Sequence, residues 1–239
     1  MDENIYMNNF QDKIKALEQQ YRNIPNFKTS KLIPTGIKEL DGILDGGFPR
    51  GNIIEIFGDH SVGKTTLAWQ IIKSAQKQEL ISLYFDCDYS WNSKYAKQIG
   101  IDIDKSDVVI AKPNEQWLQA ITHLINKGLI DVLVIDTVSS LAIDKERLLD
   151  ILKRLSKKIK ENNVLVILLN QVRTSFNHKI VVMYEQLMKL YGTIRIYLTH
   201  KEYKTKHFNN ITKIIQADII QNKLDNCQSA TFTIEVQNG

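Results

Sequence analysis

Gly58-Asp59-His60-Ser61-Val62-Gly63-Lys64-Thr65-Thr66 satisfies every fixed position of the pattern G-x-x-x-x-G-K-[ST]. Each fixed position meets a separate physical demand. Gly58 and Gly63 let the backbone turn tightly and approach a polyphosphate closely. Consecutive backbone N–H groups of the loop, from Asp59 through Val62 to Thr66, then point inward and form a nest for an anion. Lys64 supplies a mobile point charge for the β- and γ-phosphates, and the Thr65 hydroxyl is placed to ligate Mg²⁺. Asn52–Phe57 upstream is a short apolar strand, and Leu67–Ala75 downstream carries a helix-like apolar face. Strand, glycine loop and helix in that order is the setting the pattern requires.

The rest of the composition sets bounds on this reading. The chain has 239 residues and is 43% hydrophobic, enough for one well-buried domain with a short appendage. Charged residues make up 24%, and Gly and Pro are sparse, which excludes a disordered or fibrous chain. A net charge of +4 is compatible with a polyanionic partner and does not by itself demonstrate one. The longest apolar run, Val164–Leu169, is six residues, too short for a membrane span. The N-terminus lacks the basic region and apolar stretch of a secretory signal. Cys87 and Cys227 are isolated, and the five histidines show no metal-ligand spacing. The expectation is a cytoplasmic protein without membrane association, its two cysteines reduced and packed.

Phe10, Ile14, Leu17 and Tyr21 form one stripe of an amphipathic helix that Pro25 ends. Residues 1–30 are therefore expected to form a separate N-terminal helical segment. Its stripe packs on this chain's own core or on a neighbouring protomer. Residues 31–239 read as a single core. Strands are expected at Ile53–Phe57, Ile81–Phe85, Val108–Ala111, Val132–Ile135, Val164–Leu169 and Ile194–Leu198, with helices near 64–78, 91–99, 114–127, 144–161 and 183–191. Alternation with strands that are apolar throughout predicts an α/β fold, a mostly parallel central sheet flanked by helices. Ile211–Ile220 and Ala230–Val236 have no helix between them and predict an antiparallel C-terminal edge hairpin.

Two further sites bear chemistry. Asp131–Asp136 is an apolar strand ending in a carboxylate, which in such a fold puts Asp136 beside the phosphate loop to hold Mg²⁺ through water. Asp86 and Asp88, past the end of another strand, either orient water toward a γ-phosphate or cap the next helix.

Several segments then occur in order: Thr35-Gly36-Ile37-Lys38-Glu39-Leu40-Asp41, Gly46-Gly47-Phe48-Pro49-Arg50-Gly51, the phosphate loop, Phe85-Asp86-Cys87-Asp88, Tyr95-Ala96-Lys97-Gln98-Ile99-Gly100, and Asn170-Gln171-Val172-Arg173. Together they resemble the RecA/RadA recombinase family over roughly residues 31–236. The resemblance implies a RecA-like P-loop NTPase core that uses ATP and Mg²⁺, hydrolyses ATP, acts in recombination and repair, and binds single-stranded DNA. It further implies that Lys64, Thr65 and Asp136 contact nucleotide and metal, that Asp88 is the catalytic acid, and that Tyr95 stacks on adenine. Gln171 would sense the γ-phosphate and relay to the DNA loop. The N-terminal helix would join one protomer to the next in a filament or ring.

This sequence departs from the family pattern in four places. The family's catalytic acid is Glu, and Asp88 is shorter by one methylene, roughly 1.5 Å. The stretch between Asp136 and Asn170 is short, so the first DNA loop is missing and helix Lys145–Glu161 follows almost directly. Leu148, Leu149, Leu152, Leu155 and Ile159 of that helix are expected inside. Lys153, Arg154, Lys157, Lys158 and Lys160 form either a solvated face or a phosphate contact. The second DNA loop, Val172–Gln186, lacks a glycine-rich tip but keeps Arg173, Phe176, Lys179 and Tyr184 for phosphate contact and base stacking. Gln221-Asn222-Lys223 lies where the family carries two lysines that reach the neighbour's nucleotide, and only Lys223 remains. The family's additional C-terminal domain has no counterpart in these residues. Three functions stay open: a DNA-dependent ATPase, a regulatory paralogue that acts with a recombinase partner, and a small-molecule phosphotransferase.

Overall fold

The computed structural model describes residues 19, 31–103, 108–111, 117–141, 143–174, 180–206 and 210–237. The stripe Phe10–Tyr21 and the loop residues Phe176 and Lys179 lie outside them.

A small ribbon opens the described chain, β1 (Leu32–Ile33) pairing antiparallel with β2 (Phe48–Pro49), with α1 (Lys38–Ile43) between them. These three elements are too short to show a period, and the sequence reading did not anticipate them. The Thr35–Asp41 motif has a local structural job here. Asp41 Oδ1 accepts from Thr35 N at 2.6 Å and Thr35 Oγ1 at 2.7 Å, which closes the turn into α1.

The elements that follow are β3 (Ile53–Gly58), α2 (Lys64–Lys77), β4 (Ser82–Asp86), α3 (Ser93–Ile99), β5 (Val108–Ala111), α4 (Trp117–Asn126) and β6 (Val132–Asp136). After a short 3₁₀ turn, Val138–Leu141, come α5 (Lys145–Glu161), β7 (Leu165–Thr174), β8 (Ile180–Val182), α6 (Glu185–Tyr191), β9 (Ile194–Lys206), β10 (Asn210–Asn222) and β11 (Ser229–Gln237). The sheet runs β11-β10-β9-β3-β7-β6-β4-β5. From β9 to β5 every pairing is parallel.

Why the strands are apolar throughout is visible in their alternation. Val132 and Val134 of β6, with Leu165, Ile167 and Leu169 of β7, join the core beneath α1, α2 and α3. Leu133, Ile135, Val166 and Leu168 join the opposite core beneath α4, α5 and α6. Each successive side chain meets a different helical layer, so neither phase of the period-2 pattern can be polar.

The structure differs from expectation at three elements. The antiparallel C-terminal edge hairpin is present as β10–β11, and what the sequence reading left out is that β9 extends it to a three-stranded meander by pairing antiparallel with β10 as well as parallel with β3. The expected loop Val172–Gln186 is a β-hairpin: Val172, Arg173 and Thr174 pair with Val182, Val181 and Ile180, and Gln186 belongs to α6. Cys227 is exposed, not packed; only Cys87 is buried.

Helix α5 follows its sequence closely. Leu148, Ile151, Leu152, Leu155 and Ile159 are buried, with Leu149 half-buried at the edge. On the outer face Arg154 pairs with Asp150, and Lys157 and Lys158 with Glu161, at i,i+3 and i,i+4 spacing. Lys153 and Lys160 are exposed.

Candidate nucleotide site

The parallel strands β3, β4, β6 and β7 all end on the same side of the sheet, and their C-terminal ends surround one cavity of 590 Å³. Such a crevice is where open α/β sheets bind ligands.

The loop after β3 forms its floor. A Cβ on Gly58 would stand 2.4 Å from the Leu198 carbonyl oxygen of β9, so only glycine lets this strand end press against its neighbour. Gly63 caps α2 in the left-handed region, φ 103°, and offers no side chain to the first-turn N–H groups. By contrast α5 is capped by Asp144, whose carboxylate accepts from Arg147 N at 2.6 Å. An uncapped helix start facing a cavity favours an anion. Lys64 is buried, and its Nζ donates to the carbonyls of Gly58 at 2.9 Å and Asp59 at 2.6 Å. Burial pushes its pKa down, while Asp136, Asp59 and Asp88 oppose that shift. His60, Ser61, Gly63, Lys64, Thr65 and Thr66 line the cavity. Gly58, Asp59 and Val62 shape the turn behind it, Val62 being buried.

Asp136 ends β6 and is 2% exposed. Its Oδ2 accepts from Thr65 Oγ1 at 2.7 Å and from Tyr84 Oη at 2.6 Å. Oδ1 accepts no hydrogen bond among the described residues. Burial, first of all, raises the carboxyl pKa, and the Tyr84 and Thr65 bonds work against that rise. A carboxylate with one oxygen held by two hydroxyls and the other without a donor among the described residues, beside a threonine hydroxyl on a cavity wall, is a donor set suited to a hard cation such as Mg²⁺.

The two carboxylates after β4 have separated. Asp86 is fully buried and turned into the chain, accepting from Ser90 N and Trp91 N at 3.0 Å each. Asp88 lines the cavity, with Thr137 Oγ1 3.4 Å from its Oδ2. Asp86 therefore holds the loop before α3, and Asp88 faces the site. Tyr95, in the first turn of α3, also lines the cavity, and its hydroxyl lies 3.2 Å from Thr66 Oγ1. Its ring belongs to an aromatic cluster with Trp69, Tyr84 and Trp91.

Gln171 completes the wall from β7, in register with Gly58. The residue before it, Asn170, is fully buried. Its Nδ2 donates to Glu55 Oε1 at 2.8 Å and to the Met183 carbonyl at 2.7 Å, while its Oδ1 accepts from Gln171 N at 3.0 Å. Glu55 in turn pairs with Arg195, whose guanidinium lies over the Phe57 ring.

Arg173, Tyr184 and Lys223 lie outside the cavity. Arg173 is exposed on the hairpin. Tyr184 precedes α6 with its ring against the core and its hydroxyl donating to the Ile143 carbonyl, so this tyrosine ties α6 to the segment before α5. Lys223 Nζ donates to the Leu190 carbonyl at 2.7 Å.

Sequence reasoning passed over Ser90, Thr137 and Lys213, which also line the cavity, and over Tyr84 and the Glu55–Arg195 pair. A signal existed for the last three. Each is a polar group inside an otherwise apolar strand, and such a group needs a buried partner.

These features define the class: an α/β nucleotide-binding core of the P-loop type, built on a mostly parallel sheet with an antiparallel edge. The model of the RecA N-terminal domain matches residues 14–239. The chain is 31% identical over 218 residues to protein RecA of Lactobacillus delbrueckii subsp. bulgaricus, covering 80% of this chain and 64% of that relative. It is 35% identical over 191 residues to protein RecA of Francisella philomiragia, covering 69% and 51%. To protein RecA of Roseiflexus castenholzii it is 32% identical over 220 residues, covering 81% and 61%. The chain belongs to the RecA family, and it spans roughly half to two thirds of the length of these curated relatives. Among the described residues no helix is long and apolar enough to cross a membrane.

Proposed function

We propose that this chain is an ATP-dependent DNA-binding protein of recombination and repair. It takes ATP with Mg²⁺ in the cavity at Gly58–Thr66, hydrolyses it slowly, and grips single-stranded DNA with the hairpin beyond Gln171. The continuity of β7 carries this reading: Gln171 lines the cavity, and the same strand runs through Arg173 into the hairpin.

The residues divide the work. Lys64 exchanges the Gly58 and Asp59 carbonyls for phosphate oxygens, a stronger charge-assisted bond. Thr65 and Asp136 hold the metal, which when bound neutralises phosphate charge. Asp88 orients water toward the γ-phosphate and accepts its proton. Tyr95 offers its ring to the base. The Gln171 amide reads the γ-phosphate, and its displacement passes through Asn170 to Met183 and along β7 to Arg173. Phe176 and Lys179, between Thr174 and Ile180 in the sequence, supply stacking and phosphate contact. Lys223 lies outside its own cavity and reaches a neighbour's nucleotide in a head-to-tail filament or ring. Residues 1–30 join the copies.

ATP turnover with and without single-stranded DNA, together with electron microscopy in an ATP analogue, tests this. Stimulated turnover and ordered assemblies on DNA are expected. If DNA neither binds in ATP nor alters turnover, the reading fails.

A second reading, a regulatory paralogue that acts with a recombinase partner and exchanges no strands alone, draws on Gln221. Its amide donates to the Gly192 and Lys189 carbonyls, and it stands where the resemblance places a lysine. Strand exchange by the purified chain alone would dismiss this reading.

A further inference from the structure

We propose that Lys213 is a second phosphate-directed ammonium of the cavity, brought by β10 from the side of the loop away from Asp136. This rests on the cavity taking a nucleoside polyphosphate.

Sheet order sets the geometry. The phosphate loop leaves β3, with β7 and β6 on one side and β9 and β10 on the other. Asp136 comes from β6. Lys213 comes from β10, and its Nζ donates to the Ser61 carbonyl at 2.9 Å. Ser61 sits in the left-handed region, φ 57°, at the tip of the loop. Lys64 does the same from within, on the carbonyls of Gly58 and Asp59. Both ammonium groups therefore rest on carbonyls of one loop, and both line the cavity. An ammonium has three donors, and a phosphate oxygen is a stronger acceptor than a carbonyl. Lys64 exchanges its loop carbonyls for phosphate oxygens, and Lys213 can pass an N–H to the entering anion while it keeps the Ser61 carbonyl.

The charge balance points the same way. Among the lining residues Asp88 and Asp136 are negative, and Lys64 and Lys213 are positive. With Lys213 the lining is neutral when His60 is neutral. Without it the lining carries a net negative charge and faces a magnesium–triphosphate complex that is itself an anion. Lys213 offsets the second carboxylate that the metal site and the water-positioning role require.

Calorimetric titration with Mg²⁺ and a non-hydrolysable ATP analogue, at low and at high salt, measures this. Lys213→Met keeps the aliphatic stem and Lys213→Arg keeps the charge. The Met variant is expected to weaken binding about five- to tenfold at low salt and less at high salt, while Arg stays within about twofold of wild type. AMP, with a single phosphate, loses less than the triphosphate analogue. The proposal is overturned if the Met variant binds as wild type does. It is equally overturned if the loss is the same at both salts and Arg does not restore it, the pattern expected from a mere strap on the Ser61 carbonyl. A wild-type chain that binds no analogue would overturn the nucleotide reading of the cavity, and this inference with it.

Discussion

In the proposed hydrolysis Asp88 sets the reach of the site. Its carboxylate faces the cavity from the β4 end with the Thr137 hydroxyl 3.4 Å away, on a side chain one methylene shorter than Glu. General-base assistance depends on reaching the water it activates and contributes roughly 10²–10⁴-fold. Phosphate-release assays should therefore show Asp88→Glu turning over ATP about tenfold faster than wild type, and Asp88→Asn slower by at least about tenfold. An unchanged rate in both variants would remove Asp88 from the hydrolytic step; Asn92, not Asp88, caps the helix that follows. Tyr84 acts one bond further back. Its hydroxyl holds Asp136 Oδ2 and leaves Oδ1 open to the proposed metal. Tyr84→Phe keeps the ring in the aromatic cluster and should raise the Mg²⁺ concentration for half-maximal nucleotide binding about three- to tenfold, a net loss of about one hydrogen bond. Titrating Mg²⁺ against intrinsic fluorescence of Trp69 and Trp91 reads that shift. Asp136 was legible because a carboxylate ending an apolar strand is a local pattern. For Tyr84 the sequence signals the need for a buried partner but not which one, because pairing of β4 with β6 brings that partner from 52 residues away.

Among elements, the most exacting junction is that of β3, β7 and β9. Glu55 and Arg195 sit in register on adjacent parallel strands, each between two isoleucines, and both are fully enclosed. Their pairing, with Asn170 on the other Glu55 oxygen, is what lets two charges stand inside the sheet. Removing one strands the other. Urea denaturation of Glu55→Gln should show a loss of about 3–5 kcal/mol. A loss below about 1 kcal/mol would mean that Arg195 finds another partner or water. Element existence was well forecast where a period or an apolar run was long enough to count, as in α5 and β6 respectively. It failed for β8, whose Ile180-Val181-Val182 is too short to declare itself and gains strand form only by pairing back onto β7. The β1–α1–β2 ribbon escaped notice for the same reason.

For the whole molecule, the cavity draws on five separated stretches: the loop at 60–66, residues 88–95, 136–137, 171 and 213. Ligand held by all five stabilises the folded state alone. At a hundredfold excess over Kd an ATP analogue with Mg²⁺ adds about 2.7 kcal/mol. That corresponds to a rise in Tm of about 5–10 °C for a chain of this size. Differential scanning fluorimetry should show the rise in wild type, and Lys64→Ala should abolish it. The parallel sheet and its two helical layers followed from strand apolarity. Strand order did not, since nothing local tells β3 that its neighbours will be β7 and β9.

That same order has a consequence for the chain as it is being made. The phosphate loop is translated before the strands that flank it: β3 has no neighbour until β7 emerges, and the Leu198 carbonyl that Gly58 presses against comes only with β9. A ribosome must therefore release the chain through β9 before both strands that flank the loop are in place, and β10 comes later still. Nascent chains arrested before β9 should remain unable to retain nucleotide, however complete their phosphate-loop motif.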